Sequence, residues 1–352
     1  MFLEGFLYFT AAFVSVLIFI VIGKKLAVRF GLVDHPGGRK KHHAPVPLIG
    51  GLTVFPAFMI WGAVYGVEWG SYLYFYAALV ALMTIGALDD KYNLAPRIRF
   101  VTQFVVAFLI VVFGGAKLVS MGDMFGFGPF GLAYAAIPFS IIATVLLVNA
   151  INLIDGLDGL SGGKGVVCFF WLAVASVLAG NAYYLGMMAI MIGALAGFLL
   201  FNMRHPLREK ASVFMGDAGS LALGLALAWF CITMARMDVG IVQPISVAWI
   251  LAIPIWDICG QFARRVSEGR HPFDADLNHF HHHFVDAGMS VRKATYLILT
   301  MSFLTGAFGV LGLYLGLPEY VLTYLWIGGL FTHMYLSIKP ARFKSLIGKL
   351  HK

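Results

Sequence analysis

The stretch GFLYFTAAFVSVLIFIVIG, residues 5–23, contains no charged side chain and is followed directly by Lys24 and Lys25. An α-helix of about 20 mostly apolar residues is long enough to cross the hydrocarbon core of a bilayer. Backbone polar groups in lipid must be paired within the segment, which favours a helix. A secretory leader carries its basic residues before the apolar run. We therefore expect a membrane-spanning helix here rather than a cleaved leader.

Ten further apolar stretches of similar length follow along the chain. Of its 352 residues, 60% are hydrophobic and 12% are charged, whereas soluble domains average roughly 25% charged. Since no linker or internal repeat divides the sequence, we expect one membrane domain over residues 1–352. The predicted fold class is an all-α polytopic membrane protein with about eleven transmembrane helices. The predicted spans are 5–23, 48–66, 71–88, 100–113, 132–151, 165–179, 183–201, 218–235, 241–259, 294–316 and 320–338.

Lysine and arginine are distributed very unequally between the loops. If the loops alternate across the membrane, one side carries only Lys117 and Arg236, and the other side carries the remaining residues of the 25. Short cytoplasmic loops are enriched in Lys and Arg, so the N-terminus is predicted outside and the C-terminus in the cytoplasm. The net charge of +8 then suits anionic lipid head groups or phosphorylated substrates.

The same predicted cytoplasmic face carries four acidic motifs. Polar titratable groups gathered at one interface are typical of an enzyme with a cleft on that face. A transporter would have ionisable groups near the midplane and often repeated halves. Asp257 is the exception, because it lies within a span, and a functional role and a buried pair both stay open for it. The four motifs are LDD at 88–90, NLIDGLDGL at 152–160, FMGD at 214–217 and DADLNHFHHH at 274–283.

Asp89 and Asp90 end the third predicted span. Carboxylates at a helix C-terminus oppose the helix dipole, which favours cations there, so these two need a metal, a basic neighbour or water. One interpretation is a base or metal-proximal pair that faces an anionic substrate held by Arg99. The other makes Asp90 a turn residue or the N-cap of the next helix.

A second set of polar residues recurs every third position: Asn149, Asn152, Asp155 and Asp158. Steps of three residues drift by about 60° on a straight helix, so these side chains cannot share one helical face. Gly156 and Gly159 permit a turn, which would direct several polar groups into one pocket. The alternative is a polar loop that ends the helix. We also expect SGGKG at 161–165 to approach phosphate closely, although it is not a Walker A loop.

The remaining two motifs are each open to more than one interpretation. Asp217 is either an N-cap of the eighth span or a ligand of Mg²⁺, which prefers oxygen donors. Phe214 is either an interfacial aromatic residue or a platform for a base. The histidines at 279–283 are expected to contact phosphate and sugar, with surface histidines or a zinc site as alternatives. No cysteine accompanies them, which disfavours zinc.

In combination, these motifs resemble the polyprenyl-phosphate N-acetylhexosamine-1-phosphate transferases over nearly the whole chain. The resemblance implies transfer of GlcNAc 1-phosphate from UDP-GlcNAc to undecaprenyl phosphate, with Mg²⁺ or Mn²⁺, at the inner membrane of a bacterium. Such a step begins the synthesis of O-antigen-type polysaccharides. Another UDP-N-acetylhexosamine, or a muramoyl peptide, is the alternative donor. The segments that carry the resemblance are VDHPGGRKKHHAPVPLIGG at 33–51, GALDDKYNL at 86–94, NAINLIDGLDGLSGG at 149–163, FMGDAGS at 214–220 and IPIWD at 253–257.

The resemblance also implies roles for individual residues. Asp217 and Asn152 are the expected metal ligands. Four catalytic aspartates are implied, of which the first two would orient or deprotonate the lipid phosphate and the last two belong to the nucleotide site: Asp89, Asp90, Asp155 and Asp158. The implied substrate-binding residues are Asn93, Arg99, Asn149, Gly156, Phe214, His279, His281, His282 and Lys41, with Gly156 and Phe214 on either side of uracil. The expected partners are UDP-GlcNAc, undecaprenyl phosphate and the lipid bilayer. We expect no nucleic acid partner, and the formation of a homodimer stays open.

One segment departs from the family pattern. The family usually carries Arg two residues before the first histidine of the final motif, where this chain has Leu277. An additional His283 extends the histidine run. Roles within 276–283 are therefore carried over least directly.

Overall fold

The computed structural model describes residues 2–34, 45–271 and 279–351, and its regular structure there is almost entirely helical. Lys41 and Leu277 lie outside these ranges. A π-helical turn (Leu109–Phe113) continues α4, and β1 (Val33–Asp34) pairs with β2 (Val46–Pro47) in an antiparallel ribbon. The helices are α1 (Phe2–Phe30), α2 (Gly50–Tyr65), α3 (Trp69–Tyr92), α4 (Pro96–Phe108), α5 (Ala136–Ile154), α6 (Leu160–Leu178), α7 (Ala182–Asn202), α8 (Gly216–Ala235), α9 (Pro244–Ile250), α10 (Ala252–Ser267), α11 (Phe280–Asp286), α12 (Val291–Tyr314), α13 (Glu319–Ile338) and α14 (Pro340–His351).

Most of these helices are long and apolar enough to cross a membrane. Within the described ranges nine qualify, and α9 with α10 forms a tenth span if the pair is counted as one helix bent by 75°. The second predicted span falls on α2, whose 16 residues are fewer than the roughly 20 that a crossing needs. An all-α polytopic membrane protein is therefore confirmed. The count of eleven and the sidedness of the termini stay predictions.

Helix α8 forms the centre of the bundle, because every one of its residues except Asp217 is buried. It packs against α2, α3 and α5. Association of helices in lipid depends on close packing, for which small residues are favoured at the interface. A side chain at Gly51 of α2 would meet the backbone of Gly219, and one at Gly86 of α3 would meet the backbone of Asp217 and Ala218. These glycines set the position of the first turn of α8.

Replacing Gly86 by Ala is expected to separate α3 from the start of α8. The new methyl group would overlap backbone atoms, which cannot move aside as a flexible side chain can. Overpacking of this kind typically costs about 1–3 kcal/mol, so a lower thermal midpoint in detergent is the measurable result. Gly70→Ala is the matched control on the same helix, because a methyl group there meets no atom within 4 Å. Equal midpoints for the two variants would contradict this account of the contact.

Candidate active site

One guanidinium joins two carboxylates that come from different helices. Nη1 of Arg99, in the first turn of α4, donates to Oδ2 of Asp89 at 2.6 Å and to Oδ2 of Asp217 at 3.0 Å. Asp89 is buried near the end of α3, whereas the side chains of Arg99 and Asp217 are each 29% exposed. Burial on one side and solvent access on the other leave the group reachable by a polar ligand. Three residues singled out from separate motifs thus meet.

The second oxygen of Asp217 is held by the end of α5. Nδ2 of Asn152 donates to Oδ1 of Asp217 at 2.7 Å and to Oγ of Ser220 at 2.9 Å. The expectation that Asp217 serves only as an N-cap is therefore wrong, because its side chain bonds to other helices and not to the amides of α8. The structure brings the two predicted metal ligands into direct contact.

Asp90 performs the capping of α8 that the sequence suggested for Asp217. Its oxygens accept from the backbone N–H groups of Asp217, at 2.9 Å, and Ala218, at 3.3 Å. The first amides of a helix lack intrahelical acceptors and carry the positive end of the dipole, so a carboxylate is stabilising there. Asp90 is thus a helix cap, but for α8 rather than for the next helix, α4.

The loop between α5 and α6 carries two further aspartates in separate surroundings. Asp158 accepts from Nε of Arg204 at 2.6 Å and from the N–H of Ala211 at 3.2 Å. Asp155 accepts a short hydrogen bond from the hydroxyl of Ser161. Burial raises the pKa of Asp155 to about 7, and the negative charges of Asp217 and Asp158 act in the same direction. Asp155 therefore links this loop electrostatically to Asp217. We call the hydrogen-bonded set of Asp217, Asp89, Arg99 and Asn152 the Asp217 group.

The raised pKa of Asp155 gives a measurable pH dependence of stability. A carboxyl whose folded pKa lies above its unfolded value of 3.8 binds more protons when folded, so it stabilises at low pH and this stabilisation is lost as pH rises to about 7. Relative to an Asp155→Asn variant, the wild-type protein is expected to lose about 3 kcal/mol between pH 5 and pH 8. Thermal midpoints of both proteins across this range test it, since the difference cancels contributions from other groups. A constant difference would contradict the raised pKa.

His281 lies directly against the glycine of the same loop. A side chain at Gly156 would collide with Nε2 of His281, which explains why no larger residue fits between the loop and α11. The His281 and His282 ring centroids are 4.2 Å apart. Burial, and then the neighbouring His282, lowers the pKa of His281 to about 3. A neutral imidazole has one N–H to donate, so His281 would contact a phosphate or sugar oxygen as a neutral donor.

His279 is held from the other side by Asp257 of α10. Oδ2 of Asp257 lies 3.5 Å from Nδ1 of His279, and its Oδ1 accepts from the N–H of Phe280 at 3.0 Å and from Nε2 of Gln261 at 3.2 Å. The rings of His279 and His281 are parallel, with centroids 6.0 Å apart. Of the two alternatives for Asp257, the buried pair is therefore present, and its partner is His279. The hydrogen bond from Phe280 to Asp257 also fixes the start of α11.

Three predicted substrate-binding residues lie at or near the ends of helices, and the side chain of one of them, Asn149, is engaged by another helix. Nδ2 of Asn149 donates to Oε1 of Gln103 at 2.6 Å, so this amide joins α5 to α4. Asn93 ends α3 in a left-handed conformation with φ 51°. The backbone of Phe214 bonds to Pro47 and Gly50 at the start of α2, whereas Gly156 faces His281. The uracil platform formed by Phe214 and Gly156 remains a prediction.

The stretch 161–165 is not a phosphate loop, and this prediction is wrong. It forms the first turns of α6, where Gly162 and Gly165 pack against α7 and α8 side chains. Nζ of the buried Lys164 donates to the carbonyl of Ile250 at 2.8 Å. Pro254 has no N–H to offer this carbonyl, since proline removes the bond to the residue four positions earlier. Lys164 therefore supplies the N–H hydrogen bond that the carbonyl of Ile250 would otherwise lack at the break between α9 and α10.

Sequence reasoning missed Arg204, which pairs with Asp158. It lies in the basic segment RHPLREK at 204–210, and no local feature distinguishes it from the other basic residues there. The need for a partner follows from the burial of the Asp158 side chain, which is 13% exposed, and this burial is set by the fold rather than by the local sequence.

The donor set around Asp217 is compatible with a hard cation. Oδ2 of Asp89 and Oδ2 of Asp217 both accept from the same nitrogen of Arg99, and Asn152 adds a side-chain amide, whose carbonyl oxygen is a further hard donor. Among the described residues no group of three or more His, Cys, Asp or Glu side chains is placed to hold a metal ion. Mg²⁺ usually takes only one or two carboxylates and completes its shell with phosphate and water. The residues therefore fit a metal that is shared with a phosphorylated substrate.

Comparison with known proteins agrees with these motifs. The model of Glycosyl transferase family 4 matches residues 72–235, which include the Asp89, Asn152 and Asp217 segments. The undecaprenyl-phosphate α-N-acetylglucosaminyl 1-phosphate transferase of Salmonella typhi is 34% identical over 342 residues, covering 94% of this chain and 91% of that protein. The protein of the same name from Escherichia coli K12 is 32% identical over the same shares, and that of Haemophilus influenzae is 34% identical over 88% of this chain and 86% of its own length. The chain therefore belongs to glycosyl transferase family 4, among the polyprenyl-phosphate N-acetylhexosamine-1-phosphate transferases.

Proposed function

We propose that this protein transfers GlcNAc 1-phosphate from UDP-GlcNAc to undecaprenyl phosphate and releases UMP. The reaction takes place at the cytoplasmic face of a bacterial inner membrane, with the N-terminus outside. Relatives that match nearly the whole chain carry this activity in their name. The observation that carries the proposal is the meeting of Asp89, Arg99 and Asp217 at helix ends on one side of the bundle.

Arg99 is the residue of this group best suited to the phosphate groups of the substrates. Phosphoryl transfer requires alignment of attacking and leaving oxygens and neutralisation of their charge. A guanidinium presents several N–H donors in a plane that matches phosphate oxygens. The two carboxylates hold Nη1 of Arg99, so its other donors keep a fixed direction towards a ligand.

Asp217 and Asn152 would hold Mg²⁺ or Mn²⁺. Such an ion, when bound, polarises a phosphate and stabilises the departing UMP. Asp89 anchors Arg99 and would add negative charge that favours a bound cation. We assign Asp90 to positioning rather than to proton transfer, because both of its oxygens accept from the first amides of α8.

The nucleotide sugar would enter beside the loop between α5 and α6. Asp155 and Asp158 lie in this loop, and His281 packs on its Gly156. A neutral imidazole at His281 donates a hydrogen bond to a sugar or phosphate oxygen without adding charge. His279 and His282 extend the same surface.

The acceptor requires an apolar path for its isoprenoid tail. A groove of about 380 Å³ runs between the ends of α1, α2 and α3, lined mainly by apolar side chains such as Leu52, Met83 and Leu88. Lys91, which follows Asp90 directly, is the cation among its lining residues. An apolar groove with a cation in its wall suits a lipid with a phosphate head.

The proposal is tested with purified protein, undecaprenyl phosphate and a panel of UDP-N-acetylhexosamines, following UMP release. UDP-GlcNAc is expected to be the preferred donor, and activity is expected to disappear when EDTA removes the metal and to return with Mg²⁺. A preference for another sugar would change the assigned donor. Turnover unaffected by EDTA would reject the metal.

A further inference from the structure

A second polar cluster lies on the loop between α7 and α8, outside the group around Asp217. Lys24 of α1 donates from Nζ to Oγ of Ser212 at 3.1 Å, and Arg208 donates from Nη1 to the same oxygen at 2.7 Å. Both cations also lie over the ring of Phe201, at 4.9 Å and 5.4 Å from its centroid. Two positive groups thus converge on one neutral hydroxyl. We call this set the Lys24–Arg208 cluster.

Among the described residues no carboxylate forms an ion pair with Lys24 or Arg208, although Glu209 is next to Arg208 in the sequence. Asp158 is already paired with Arg204. Nε of Arg208 is buried without a hydrogen-bond partner. Since like charges at close range repel and a buried donor without an acceptor is costly, the cluster is incomplete as it stands. An anion that accepts from both cations would complete it.

The chemistry of the missing group is that of a phosphate. Arg supplies a planar fork that matches phosphate oxygens, and Lys supplies a compact point charge. Ser212 orders both cations, and its own hydroxyl is 3.3 Å from the carbonyl of Phe201, to which it donates. The two cations are therefore already oriented together before any ligand arrives.

The position of the cluster favours a lipid as the source of that phosphate. Lys24 follows directly after the apolar run 5–23 of α1, at the depth where long basic side chains reach the head groups. Leu207, next to Arg208, is 94% exposed. Val21 and Val28, three residues before and four residues after Lys24 on α1, are also exposed, at 59% and 67%. An apolar surface beside two cations suits an acyl chain beside an anionic head group.

We propose that the Lys24–Arg208 cluster is a binding site for the phosphate of an anionic membrane phospholipid. The bound phosphate bridges α1 and the loop that leads to Asp217. The loop between α7 and α8 also binds Asp158 through Arg204 and Ala211. A bound lipid would therefore stabilise the position of a loop that contacts a residue of the candidate active site. Lipid binding at this cluster requires only that the protein lies in a membrane. It does not depend on the proposed transferase reaction.

The test is native mass spectrometry of the purified protein, titrated in a mild detergent with phosphatidylglycerol or with phosphatidylcholine of the same chain length. The wild-type protein is expected to hold one phosphatidylglycerol more tightly than phosphatidylcholine. Lys24→Gln or Arg208→Gln should weaken phosphatidylglycerol binding by about fivefold each, and the double variant by about thirtyfold. Unchanged affinity in the folded double variant would overturn the proposal.

Lys25→Gln is the matched control, because it removes the same charge from the adjacent position of α1. Lys25 is exposed and solvent screens it, so phosphatidylglycerol affinity should stay within about twofold of the wild-type value. An equal loss in this variant would overturn a specific site in favour of general surface charge. Should the double variant fail to fold, the exchange of Lys24→Arg with Arg208→Lys keeps both charges and is expected to retain binding, whereas each single Gln variant weakens it.

Inorganic phosphate separates a lipid from a soluble ligand. In the same titration, millimolar inorganic phosphate is expected to leave the bound phosphatidylglycerol in place, because the acyl chains add apolar contact that the free ion lacks. Displacement of the lipid by inorganic phosphate at that concentration would overturn the lipid assignment and identify a site for soluble phosphate.

Discussion

The Asp217→Asn variant is expected to transfer sugar phosphate about a thousandfold more slowly than the wild-type protein while it remains folded. The substitution removes a negative charge and hardly changes volume. Loss of a metal ligand removes several kcal/mol of stabilisation of the charged transition state, and each 1.36 kcal/mol corresponds to a factor of ten in rate. Asn152 and Arg99 both bond to this carboxylate, so no neighbour can replace it without moving.

UMP release at increasing Mg²⁺ concentrations measures this effect. Asp238→Asn is the control, because Asp238 lies beyond the other end of α8 and pairs with Arg236 at 2.5 Å. Its removal is expected to leave turnover near the wild-type value. Near-normal turnover of Asp217→Asn at saturating Mg²⁺ would contradict the metal role, and a collapsed thermal midpoint would indicate a structural role.

The sorting of charge along the chain made the Asp217 group partly predictable. Asp89 and Asp217 each lie at the end of an apolar span, and alternation of spans places both ends on one side. Their distance could not be predicted, because it depends on which helices are neighbours. That contact is set by Gly86 against the first turn of α8, and a glycine within a helical sequence does not reveal its partner.

Asp90 illustrates a limit of local sequence reasoning. Capping signals are read from residues adjacent to a helix start, yet the cap of α8 comes from a residue 127 positions earlier. The sequence next to α8 offers Asp217 itself as the natural cap. Tertiary contact assigns that task to Asp90 and leaves Asp217 free to bond with Arg99 and Asn152.

The stretch SGGKG shows how the same residues serve different purposes in lipid and in water. Glycines before a lysine suggest a loop that approaches phosphate, but in a membrane bundle small residues also allow helices to pack closely. Gly159 adopts φ +81° as the N-cap and α6 begins at Leu160, so the helix starts earlier than the predicted span 165–179. Pro254 was the available clue to the break after Ile250 and to the carbonyl that Lys164 binds.

The Asp257→Asn variant is expected to lower kcat about a hundredfold with a smaller change in KM for the nucleotide sugar. The amide keeps an oxygen that can accept from the N–H of Phe280, so the start of α11 should hold its position. Nδ1 of His279 instead loses its carboxylate neighbour at 3.5 Å. A histidine whose second nitrogen is not fixed can adopt the wrong tautomer or ring orientation, and loss of one preorganised hydrogen-bond donor typically costs about 10²–10³ in kcat.

Kinetics and thermal midpoints of three variants separate positioning from simple packing. Asp257→Ala removes both the charge and the acceptor for Phe280, so it should lose stability as well as turnover. Asp286→Asn is the control on α11, because Asp286 pairs with Lys344 at 2.9 Å on an exposed surface, where such pairs contribute about 0–1 kcal/mol. If Asp257→Asn matched Asp286→Asn in kcat, His279 would need no carboxylate, and Asp257 would serve only to cap α11. If Asp257→Asn instead unfolded as readily as Asp257→Ala, the charge itself would hold α10 against α11, and the histidines would owe their position to that ion pair.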